Sequence, residues 1–86
     1  MPTLCRFDGI TIRMYWGENE HPPPHFHALR AEEVMVVNIR DLEVRKSNAS
    51  ASTERKVLDW AKNHQLELLA NWNRLQQHQP PKPIEP

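Results

Sequence analysis

The sequence predicts an α+β domain: an antiparallel sheet of four to five strands, packed by one long or two C-terminal helices. Three observations carry this expectation. Asp8-Gly9 stands between two runs of alternating polarity, three consecutive prolines separate that hairpin from a second pair of strand-like runs, and the apolar period then lengthens from two residues to about 3.6.

Each element follows in order. Leu4-Cys5-Arg6-Phe7 and Ile10 to Trp16 flank the Asp-Gly pair, whose positions both accept the positive φ that a two-residue type I′ turn demands. Such a turn pairs Phe7 with Ile10 and Cys5 with Ile12. One face then collects Phe7, Cys5, Ile10, Ile12, Met14 and Trp16, and the other Arg6, Thr11, Arg13 and Tyr15. Gly17 to Pro24 is a loop, because prolines cannot donate ladder hydrogen bonds. His25 to Arg30 forms a third strand, Glu32-Glu33 a turn, Val34 to Ile39 a fourth strand, and Leu42 to Arg45 a short fifth.

A polar linker, Ser47 to Ser52, leads to the helical stretch, with Ser52 as its N-cap and Glu54 in the first turn. Val57, Leu58, Ala61, Leu68, Leu69, Trp72 and Leu75 fall on one stripe. Asn63-His64-Gln65 interrupts it without an apolar residue, which leaves one helix or two open. Residues 1–77 therefore make one domain, and the proline-rich residues 78–86 are expected to be a flexible tail.

Composition narrows the function. With 86 residues there is room for one core, and with 11 basic against 11 acidic residues the formal net charge is zero. That balance opposes coating of nucleic acid or membranes by bulk charge and favours self-association, so a homodimer is a candidate state. A single cysteine, Cys5, excludes an internal disulfide and reads as a buried, inert thiol. No apolar run approaches a membrane span and no signal peptide is evident, so a cytoplasmic, non-membrane protein is expected.

Chemistry concentrates in His21-Pro22-Pro23-Pro24-His25-Phe26-His27. Residues two apart on a strand share a face, so His25 and His27 set two imidazoles side by side, with His21 on a proline-stiffened approach. Three imidazoles suit Zn²⁺, Ni²⁺ or Cu²⁺, with Glu18 or Glu20 as a fourth ligand. Two other readings stand beside this one: structural histidines in a crossover loop, or a metal-free site with His25 and His27 as general acid and base. If Phe26 and Ala28 point to the core, His25 and His27 join Arg6, Arg13 and Tyr15 on the opposite face. That group suits an anion such as an RNA phosphate. Leu4 and Leu29 fall on it too, which implies partial cover or a partner. Trp60 and Trp72, at helical spacing, read as packing residues, with His64 and Asn71 placed to cap or bridge the helices.

Across Arg6-Phe7, Gly9-Ile10, Ile12 to Tyr15, Pro23-Pro24-His25-Phe26-His27-Ala28, Leu58-x-Trp60-Ala61, Asn71-Trp72 and Ile84-Glu85-Pro86, the chain resembles the short bacterial proteins of domain of unknown function 4160. It departs from the Gly-rich turn frequent there, having Arg30-Ala31-Glu32-Glu33 instead. The resemblance implies a stand-alone bacterial protein, in some cases a regulator or a companion of toxin–antitoxin pairs, and supplies no reaction. The favoured reading is a regulatory or toxin–antitoxin-associated binding module acting on a protein partner or nucleic acid. The alternative is a small His-dependent ribonuclease. Against it, the sequence offers no nucleophile with a supporting base and no phosphate-binding glycine loop.

Overall fold

A computed structural model describes residues 3–15 and 21–86. Five strands precede two helices: β1 (Thr3–Phe7), β2 (Ile10–Arg13), β3 (His25–Arg30), β4 (Glu33–Asn38), β5 (Val44–Ser47), α1 (Ala51–Asn63) and α2 (Gln65–Gln76). The sheet order is β1-β2-β3-β4-β5, and every neighbouring pair is antiparallel.

The first hairpin has the expected register, Phe7 opposite Ile10 and Cys5 opposite Ile12. Asp8 (φ 50°) and Gly9 (φ 77°) both take positive φ, as the type I′ turn requires. One residue departs from the alternation. Thr3 pairs with Arg13 while Cys5 pairs with Ile12, so Leu4 is the extra residue of a bulge. The bulge removes Leu4 from the Arg6 face and buries it. Trp16 was expected to continue the core face of the second strand; it lies outside the described residues.

The second hairpin turns at Ala31-Glu32, and Ala31 sits at φ 52° without the glycine that such backbone favours. Ala31→Gly should therefore stabilise the domain, by about 0.5–1 kcal/mol once the added chain entropy of glycine is deducted. A lower urea midpoint for the variant would show that the alanine is unstrained.

The fifth strand begins at Val44, two residues later than the pattern suggests. Leu42 at φ 57° bends the chain first, and Asn38 N–H donates to the Glu43 carbonyl across the bend. The helix N-cap is likewise Ser50, not Ser52. Ser50 Oγ accepts from Thr53 N–H at 3.2 Å, and the Glu33 carboxylate accepts from both Ser50 N–H (2.6 Å) and Thr53 Oγ (2.9 Å). These bonds, the Ser50 amide first, hold the Glu33 carboxyl below its usual pKa. They also pull the linker onto the strand end and start α1 early.

The helical stretch is two helices, broken at His64. His64 Nδ1–H donates to Glu67 at 2.8 Å, and Gln65 Nε2 donates to the Ile39 carbonyl at 2.8 Å, which pins the start of α2 to the end of β4. One face of the sheet (Ile10, Ile12, Phe26, Ala28, Met35, Val37) packs with Val57, Trp60, Ala61, Leu68 and Leu75 in a single apolar core. Trp60 joins this core stacked on Phe7 with ring centroids 5.6 Å apart and meeting Phe26 edge-on at 6.2 Å.

Residues 78–86, expected to be a loose tail, are instead tied to the domain. His78 at φ 59° ends α2 in a Schellman motif: Gln79 N–H donates to the Arg74 carbonyl and His78 N–H to that of Leu75. The chain then turns back. Asn71 donates to the Lys82 carbonyl (2.9 Å) and accepts from its N–H (2.8 Å), Ile84 N–H donates to the Leu4 carbonyl (2.8 Å), and Trp60 Nε1 donates to the Glu85 carbonyl (3.0 Å). Ile84 is buried in the core. The prolines favour an extended path, and the domain supplies the hydrogen-bond partners that such a path lacks by itself.

Candidate functional site

The helices leave the second face of the sheet open. Strand alternation and register place its residues in two rows across the strands. One row runs Arg6, Thr11, Leu29, Val34, and the next Thr3, Arg13, His27, Val36, Lys46. All are half-exposed or exposed. The rows hold three permanent cations, Arg6, Arg13 and Lys46, and no carboxylate, although the whole chain is neutral. The acidic strand residue Glu33 faces the helices instead, bonded to Ser50 and Thr53.

Tyr15 and His27 add aromatic surface, with ring centroids 4.4 Å apart in an edge-on contact. The expected grouping puts Arg6, Arg13, Tyr15, His25 and His27 on one face; the strand register sets Arg6, Arg13 and His27 there, and the ring contact brings Tyr15 beside His27. His25 differs from its neighbour two residues on. Its ring lies 5.5 Å from that of His27, yet it is only 5% exposed, because Trp72 of α2 covers it at 5.0 Å. Its Nδ1–H donates to the Pro23 carbonyl at 3.0 Å. His25 therefore ties the proline loop to the end of the sheet, a role that periodicity alone does not distinguish from a surface position.

His21 is exposed at the start of that loop, where Pro22-Pro23 is a cis peptide. Among the described residues no group of three His, Cys, Asp or Glu side chains is placed to hold a metal ion, so His21, His25 and His27 are not gathered as one ligand set. Glu18 and Glu20, the candidate fourth ligands, lie outside the described residues. Among the described residues, Arg13 Nε and Asn38 Oδ1 on this side of the sheet are buried without a hydrogen-bond partner. Cys5 is buried as expected, and burial, then the nearby Glu85 charge, push its thiol pKa up and make it a poor nucleophile.

Compared with known families, residues 9–73 match the one described as Domain of unknown function (DUF4160). The chain belongs to the DUF4160 family. The matched span takes in the Asp-Gly turn from Gly9 onward, the proline–histidine loop, four of the five strands and most of both helices. Comparison of this DUF4160 chain with curated proteins and with solved structures returned no match. No helix among the described residues is long and apolar enough to cross a membrane.

Sequence reasoning missed Lys46 as a member of the open face. It was placed beyond the fifth strand, and only the pairing of Val36 with Lys46 brings it into the row of Arg13 and His27.

Proposed function

We propose that this protein is a small binding module, regulatory and of the kind that accompanies toxin–antitoxin pairs, and that its open sheet face takes single-stranded RNA. The observation that carries the reading is the segregation of charge. A chain with equal numbers of acids and bases presents Arg6, Arg13 and Lys46 on one face, with no acid among the described residues of the two rows that hold them. Guanidiniums and an ammonium spaced across a sheet suit phosphates, and Tyr15 and His27 offer ring surface for bases. The half-buried Leu29, Val34 and Val36 let the strand lie on apolar surface between the charges.

Fluorescence anisotropy with a labelled single-stranded RNA tests this. Three phosphate contacts predict a slope of about −2.1 in log K against log salt. Arg6→Gln/Lys46→Gln, which alters two exposed side chains, should reduce the slope to about −0.7 and weaken binding about tenfold near 0.15 M salt, with the urea midpoint unchanged. Equal binding by both proteins, or none, would remove the open face as an RNA surface.

The ribonuclease reading needs two imidazoles within reach of substrate, and the burial of His25 under Trp72 favours the module. The same experiment separates the two. Recovery of intact RNA supports the module. Cleavage that falls about 10²–10⁴-fold in His27→Ala would establish the enzyme instead.

A further inference from the structure

The segment 82–86 is held almost entirely through its backbone. Asn71 takes both the N–H and the carbonyl of Lys82, the Leu4 carbonyl takes the N–H of Ile84, and Trp60 takes the carbonyl of Glu85. Ile84 alone is buried among these residues. The groove is therefore a reader of an extended peptide, built from the edge of β1, one tryptophan of α1 and one asparagine of α2. Its use by the chain's own segment shows that the fit is complementary.

Two features weigh against permanent closure. His78 must hold φ 59° to reverse the chain after α2, backbone that a β-carbon disfavours. The segment also bridges a cavity of about 220 Å³ lined by Glu67, Asn71, Arg74 and Lys82, so its seat on α2 is only partly filled. If the chain runs straight on from α2, His78 leaves the left-handed region and the same four hydrogen bonds become available to a neighbouring molecule.

We propose that the groove between β1 and α2 is a dimer site, in which two copies of this chain exchange residues 79–86. Exchange recreates the four bonds of the docked segment and relieves both hinges, opposed by association and by loss of the two bonds with which Gln79 and His78 close the end of α2. Zero net charge adds no repulsion between the copies. A hinge of three residues, Gln79 to Pro81, gives the closed form an effective concentration of about millimolar, which hinge strain lowers about fivefold. Dimer should therefore appear at hundreds of micromolar.

Sedimentation equilibrium from about 10 μM to about 1 mM of the intact protein reads this directly, since the range spans the expected effective concentration. Wild type should pass from monomer to dimer. His78→Gly, which removes the strain of the closed hinge, should raise the dimer dissociation constant at least about fivefold. Deleting Gln79 and Pro80 should produce dimer at the lowest concentration, because the shortened hinge cannot fold back. Asn71→Leu should abolish the dimer. Wild type that stays monomeric to about 1 mM, a short-hinge variant that stays monomeric, or a dimer indifferent to Asn71→Leu would each overturn the proposal.

Discussion

Trp60→Ala should destabilise the domain by about 3–5 kcal/mol, most of the stability expected for a chain of this size. The tryptophan joins parts that have little else in common. Its ring stacks on Phe7 of β1, meets Phe26 of β3 edge-on, and lies 5.0 Å from His64 at the helix break. Its Nε1–H holds the Glu85 carbonyl. Truncation opens a cavity at the junction of the sheet, the helix break and the 82–86 segment. Urea melts followed by far-UV circular dichroism check the figure, and a loss below about 1 kcal/mol would show that Trp60 does not organise the core. Trp60→Phe keeps most of the ring contact and forfeits the hydrogen bond, so it should lose only about 1–2 kcal/mol.

The next largest effect is expected at a polar residue. Asn71→Leu should cost about 2–3 kcal/mol, although leucine suits helix α2 and the site is buried. Asn71 makes two bonds to the backbone of Lys82, one accepted and one donated, and a leucine answers neither. With them gone, residues 82–86 lift off and Ile84 loses its buried position. Limited proteolysis should then cut within residues 79–86 at enzyme levels that leave the parent intact. A variant as stable and as resistant as the parent would show that the segment is held by Ile84 alone.

These two residues mark the boundary of what the sequence discloses. The Asp8-Gly9 hairpin is legible because turn chemistry and alternation are local and agree, and its register follows without further information. The two strand pairs and the helical stripe are legible for the same reason. What is hidden depends on partners distant in sequence. Ser50 caps α1 because Glu33 reaches it from another strand, and no local pattern prefers Ser50 to Ser52. The proline-rich segment resembles a disordered tail in composition, because its bonds use backbone groups that every residue carries. His25 and His27 look equivalent in alternation, yet Trp72 buries only the first. The open face was predicted as Arg6, Arg13, Tyr15, His25 and His27, of which His25 is buried, whereas Lys46 required the register of the last strand pair and Leu4 was removed by a bulge that leaves no trace in the pattern.

The neighbour-to-neighbour strand order has a consequence for how the chain reaches this structure. Every strand pairs with the next one along the chain, so the sheet can assemble through short loop closures, each entropically cheap and fast. The bond from Ile84 to Leu4 is of the opposite kind, spanning nearly the whole sequence. Such a contact costs the most closure entropy and gains nothing until the sheet edge and both helices are in position. Docking of residues 82–86 should accordingly come last in folding and reverse first. Amide hydrogens of Lys82 and Ile84 should exchange with solvent through a local opening, well before those of Ile12 and Phe26, which wait for global unfolding.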